Sequence, residues 1–279
     1  MTPYPGTGST PAGRRNAGSR LTGRARDALA WAGVAALVVA AAVFVTSGQK
    51  ADALNRRDEA HCLVNRPTPV AVLTLLDQTD TLGRDAGKRF DDLMAATLRR
   101  LPRNGRLTIV PFGGDLGQSL ASQFSACSPG KKGDADPWSE AADDVQWDYE
   151  NTFLKPLSQV SARLLDARPS GRSPIAEQIE RAVSDTAIMW EGQHRELVVM
   201  TDGLQFTAGS PIYTGGKFKL PDAPPALLRG VTVRYVELAN PTHSELQTAE
   251  LRKAWEAWFI AAGAEKVIMV APGYARLEE

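Results

Sequence analysis

The residues best placed to do chemistry stand where one apolar run stops. Residues 70 to 82 read VAVLTLLDQTDTL, so Asp77, Thr79 and Thr81 present a carboxylate and two hydroxyls at alternate positions beyond the aliphatic stretch. Further along, Ser173 precedes Pro174 at the head of an amphipathic stretch, and Asp202 precedes Gly203 after a second apolar run, ELVVM at 196 to 200. Carboxylates and hydroxyls are hard oxygen donors, the kind that Mg²⁺ takes. Each also has a plainer use. Asp77 and Thr81 can cap a helix beginning near Leu82, Ser173 can be an N-cap, and Asp202-Gly203 can be a turn. The chemistry requires all five to meet. His61, His194 and His243 are isolated, without paired zinc spacing or an accompanying nucleophile.

The flanking pattern predicts how these groups are held. Residues 70 to 76 are apolar apart from Thr74 and lack period-two alternation, as expected of a strand buried on both faces of a parallel sheet. In open α/β sheets ligands bind beyond the carboxyl ends of the strands, which is where Asp77 falls. Leu82, Ala86, Phe90, Leu93, Met94, Leu98 and Leu101 recur at helical spacing until Pro102 and Gly105 end the helix. Strands are predicted at 106 to 112 and 119 to 126, joined as a hairpin, and an acidic solvated loop without calcium-loop spacing at 128 to 148. A helix at 151 to 167, a second after Ser173-Pro174, strands at 196 to 200 and 231 to 238, a helix at 245 to 262 and a strand at 266 to 270 complete the order. This predicts a doubly wound α/β domain, Rossmann-like, its sheet mostly parallel with one antiparallel edge strand. The Pro- and Gly-rich stretch 204 to 230, holding Phe206, Ile212, Tyr213 and Phe218, leaves beside the site and reads as a binding loop.

Length and charge bound the rest. The chain has 279 residues with 32 basic and 32 acidic side chains, a balance that argues against a broad nucleic-acid footprint. Residues 1–27 read as a disordered basic tail with five arginines. Residues 28–46 carry no charge and predict a transmembrane helix, eighteen residues (28 to 45) giving ~27 Å. A signal peptide is the competing reading, with a small-residue site at 51 to 53, although signal cores run only ~7 to 15 residues. The positive-inside rule then puts the tail in the cytoplasm, a stalk at 47–68, and a domain at 69–279 in the periplasm or outside the cell. Cys62 and Cys127 both fall on that side, at one end of the predicted hairpin sheet, where a disulfide can persist.

Taken in chain order, Asp77, Thr79 and Thr81 after strand one, Ser173 at a helix start, and Asp202 with Gly203 after strand four resemble a known arrangement. It is the metal-ion-dependent adhesion site of a von Willebrand factor type A domain, and the resemblance spans roughly residues 69 to 272. It implies Thr79, Thr81 and Ser173 as direct ligands of Mg²⁺ or Mn²⁺, with Asp77 and Asp202 acting through water. An acidic residue of another protein would complete the coordination. The implied function is therefore cation-assisted protein binding by a membrane-anchored domain, not catalysis. The chain departs from the pattern at Thr79 and Thr81, where serines are usual, at Ser173, where threonine is usual, and at Asp80, where small residues are usual. DQTDTL also resembles the nucleophile loop of haloacid dehalogenase-like phosphatases, with Asp77 as nucleophile and Asp202 on Mg²⁺, but Thr79 stands where a second aspartate is expected. A third reading is a metal-free scaffold that uses the same fold and face.

Overall fold

In the computed structural model, residues 23–79, 86–164, 170–207, 210–211 and 219–271 are described. Asp80, Thr81, Ile212, Tyr213, Phe218 and the tail as far as residue 22 lie outside them. The chain divides into two units, one ending at Ala53 and the other beginning at Leu54.

The first unit holds all but the last two residues of helix α1, Gly23–Asn55. Its described side chains at 31–46 are exposed. Among the described residues, no helix is long and apolar enough to cross a membrane. The transmembrane helix expected at 28–46 as part of the fold class is corrected on that ground.

The second unit is built on β1, Val70–Asp77. In chain order there follow α2 (Ala86–Arg100), β2 (Arg106–Phe112), β3 (Phe124–Cys127), α3 (Ala142–Asp148), α4 (Lys155–Leu164), α5 (Ile175–Ser184) and β4 (His194–Thr201). A two-residue ribbon, β5 (Phe206–Thr207) and β6 (Ser210–Pro211), precedes β7 (Val231–Glu237), α6 (Ala249–Ala261) and β8 (Lys266–Val270). Six strands make one sheet in the order β3-β2-β1-β4-β7-β8. All of its pairings are parallel except β2 with β3, whose register sets Arg106 against Cys127.

The lack of alternation along β1, buried Thr74 included, now has its reason. Ala71, Leu73 and Leu75 pack with Ile175 and Ile179 of α5 and Trp255 and Phe259 of α6. Val72 and Leu76 face the other way, against Phe90 and Leu93 of α2 and Phe153 and Leu157. A strand covered on both sides has no polar face to alternate.

Two stretches differ from expectation. The acidic segment 128–148 is not all loop, since α3 forms with Val145 buried and Asp143 and Asp144 in its first turn, where the helix dipole favours acids. The chain continues through a π-helical stretch, Tyr149–Leu154, whose Tyr149 and Phe153 rings stack at 5.7 Å. The third strand is shorter than predicted and ends at Cys127, which is bonded to Cys62 with the Cα atoms 4.9 Å apart. That bond staples the segment before β1 to the edge strand.

Candidate site at the carboxyl ends of the central strands

Asp77 is the last residue of β1 and only 3% exposed. Its Oδ1 accepts from the Thr79 backbone N–H at 2.9 Å and from Thr79 Oγ1 at 2.7 Å, the local turn that an aspartate two residues ahead of a donor makes. Its Oδ2 accepts from Thr201 Oγ1 at 2.6 Å, a bond that ties the ends of two adjacent parallel strands. Thr79 Oγ1 also lies 2.9 Å from Ser173 Oγ. Asp77, Thr79, Thr201 and Ser173 thus form one hydrogen-bonded cluster drawn from three segments.

Ser173 is not the helix cap its sequence suggests. Pro174 occupies the cap position of α5 without a side-chain bond, and the Ala176 N–H donates instead to Gln205 Oε1 at 3.0 Å. Ser173 exchanges backbone hydrogen bonds with Phe206, both 2.8 Å, while Ser170 N–H donates to the Thr79 carbonyl at 2.8 Å. The loop before α5 is thereby fastened to both strand ends.

Asp202, next to Thr201, is directed elsewhere. Its Oδ1 accepts from Leu204 N–H at 2.9 Å and its Oδ2 from Asn240 Nδ2 at 2.6 Å, while its carbonyl accepts from Gln247 Nε2 at 3.0 Å. Gly203 follows with φ of +78°, and a Cβ there would collide with the Tyr235 hydroxyl, so the turn requires glycine. The Tyr235 phenol is pushed well above its ordinary value, first by burial and then by the negative charges of Glu237, Asp202 and Asp77. It stays neutral.

Thr201, Asn240 and Gln247 were not singled out in the sequence. Thr201 carried one signal, being a hydroxyl at the end of an apolar strand like Asp77 at the end of β1. Asn240, ahead of Pro241, and Gln247 carried only turn signals. Thr81 lies outside the described residues. Of the three histidines, His243 borders the site, while His61 and His194 do not enter it. A cleft of about 280 Å³ opens over Ser173, lined also by Ser170, Gly171, Arg172, Leu204, Phe206 and His243.

The oxygens that the adhesion-site pattern assigns to a cation and its waters are engaged with protein donors. Asp77 takes threonine hydroxyls on both oxygens, and the Asn240 amide occupies Asp202 Oδ2. Among the described residues, no group of three or more His, Cys, Asp or Glu side chains could hold a metal ion. Among the described members of that set, Asp77, Thr79 and Ser173 are bonded within one cluster, and Asp202 is bonded to Leu204 and Asn240. Metal binding as a general property of the chain is corrected on that count, while Asp77, Thr79, Ser173 and Asp202 stand as residues at the strand ends.

The sheet and the strand-end cluster define a mixed α/β domain with its polar centre at the carboxyl rim. No protein-family profile and no curated protein matches the chain. Among solved structures it is similar to three N-terminal domains of the type V pili tip protein Mfa5 from Porphyromonas gingivalis, at 14% identity and a TM-score of 0.30, over 52% of this chain and 23% of that one. It is also similar to the human COPII-coat protein Sec24c, at 11% identity and a TM-score of 0.30, over 75% of this chain and 31% of that one. The chain therefore spans less than a third of either structure, and likeness at this level carries no functional argument.

Proposed function

We propose that residues 54–279 form a von Willebrand A-like protein-recognition domain that binds another protein through the carboxyl rim of its sheet, without a cation. The observation that carries this reading is the junction of Asp77, Thr79, Ser173 and Thr201 directly beneath the cleft of Leu204, Phe206 and His243. Buried hydroxyls and a carboxylate that satisfy one another hold three loops in a fixed relation. The open cleft above them offers apolar surface and one imidazole. A rigid rim with a partly apolar recess is what a partner's side chain docks into. The antiparallel edge strand β3 and the Asp-x-Thr turn after β1 support the von Willebrand A-like assignment. The Cys62–Cys127 bond supports an oxidising compartment for this unit, since such bonds are reduced in most cytosols.

Site-specific photocrosslinking in cells tests the reading. A benzophenone side chain at exposed Arg172, at the cleft, should yield one discrete crosslinked protein that survives chelation by EDTA, while the same group at Lys266, on the opposite rim, should yield none. Loss of the product in EDTA, or equal products from both positions, would sink it.

A further inference from the structure

A second cavity, of about 370 Å³, lies across β1 from the recognition cleft, and nothing in the reading above uses it. Its apolar wall is Phe112 at the end of β2, Leu120 in the loop between β2 and β3, and Val160 and Leu164 of α4, and its polar wall holds the amides of Gln78 and Gln178 with Gln118, Ser119 and Gln123. The volume falls within the range of about 300 to 1,000 Å³ typical of small-molecule pockets. Its polar groups are not equivalent. Gln178 is satisfied, its Nε2 donating to the Gly113 carbonyl at 2.9 Å and its Oε1 accepting from Arg181 at 3.0 Å. Gln78 is only 5% exposed, and its Nε2 donates to the Leu164 carbonyl at 2.7 Å, which fixes the orientation of the amide. Among the described residues nothing donates to Gln78 Oε1. The amide is thus held by its nitrogen, and its oxygen is the acceptor that the cavity offers to a ligand.

We infer that this cavity binds an uncharged, partly apolar group that carries one hydrogen-bond donor, of which a phenol is the simplest example, with the donor on Gln78 Oε1. The apolar body lies against Phe112, Leu120, Val160 and Leu164. Asp115 alone among the lining residues is charged, and its Oδ1 already accepts from the Gly117 N–H at 2.8 Å. Among the described lining residues there is no cationic side chain to offset the desolvation of a carboxylate or phosphate. The group can belong to a free molecule or to a tyrosine of a partner, and the chemistry at Gln78 is the same.

Titration of the full chain with p-cresol, toluene, benzoate and N-acetyltyrosinamide, followed by NMR shifts and by melting temperature, tests this. p-Cresol should bind saturably and about fivefold more tightly than toluene, the ratio one neutral hydrogen bond supplies, with benzoate not binding. Gln78→Leu should erase the preference for p-cresol over toluene. Leu120→Trp, in a surface loop away from the α4 anchor, should fill the space and abolish binding of both, which keeps the test sound should Gln78→Leu fail to fold. N-acetyltyrosinamide binding as tightly as p-cresol assigns the cavity to a partner's tyrosine, and its exclusion assigns it to a free molecule. No saturable p-cresol binding, binding untouched by Leu120→Trp, or a preference that survives in folded Gln78→Leu would overturn the inference. None of these readouts depends on the recognition cleft.

Discussion

At the scale of single residues, Asp77 holds the most bonds that can be tested. It accepts from Thr79 twice and from Thr201 once while buried, so Asp77→Asn exchanges an acceptor for a donor facing hydroxyls that were donating to it. Because hydrogen bonds to charged groups contribute about 1.5 to 3 kcal/mol each, the variant should lose about that much stability in urea unfolding with its m-value unchanged. Thr79→Ser keeps the hydroxyl and should lose under half as much. Millimolar Mg²⁺ or Mn²⁺ should leave the melting temperature of the wild-type chain where it is. A rise of several degrees would restore the cation, because any ligand that binds only the folded state stabilises it. Asp77, Thr79, Ser173 and Asp202 were legible in the sequence because strand ends and turns announce themselves by residue type. Their partners were not. Thr201 reaches Asp77 through strand pairing and Asn240 reaches Asp202 across a loop, and neither separation, 124 or 38 residues, leaves a periodic trace.

Elements were easier to read where burial set the pattern and harder where it did not. The six sheet strands and the helices beside them follow from runs whose both faces are covered or whose apolar residues recur at helical spacing. α3 escaped because its single buried residue, Val145, sits among acids that composition alone assigns to a loop. That segment is anchored by Arg103, whose guanidinium donates to both Glu140 oxygens at 2.6 Å. These bonds, with the Asp136 N–H, hold the Glu140 carboxyl at about 2. A carboxylate depressed in the folded state stabilises above its unfolded pKa of about 4.3, and that contribution fades as pH falls toward 2. The melting-temperature difference between wild type and Glu140→Gln should therefore be constant from neutral pH to about 5 and shrink between about 4.5 and 2. On the far side, the Trp255 indole of α6 donates to the Gly203 carbonyl at 2.9 Å, linking the last helix to the site. Trp255→Phe keeps most of the packing and leaves that carbonyl with the Gln205 N–H at 2.9 Å, so it should cost only the one lost hydrogen bond, about 0.5 to 1.5 kcal/mol in denaturant unfolding.

Across the whole second unit, the disulfide and the recognition rim lie at opposite ends of the strands. Cys62–Cys127 spans 65 residues, for which chain entropy gives about 4 kcal/mol, so Cys62→Ser/Cys127→Ser should lower the unfolding free energy by about that amount. The bond also decides how the unit answers a pull. Force applied at its two ends runs through the sulfurs and leaves β1, α2, β2 and β3 enclosed in a covalent loop that cannot extend. Stretched in an optical trap, the oxidised unit should be shorter at full extension than the reduced one by about 220 Å, the contour of those 65 residues at roughly 3.4 Å each. A thiol reductant would then act as a length switch, leaving the central strand slack-free under tension until the bond is cut.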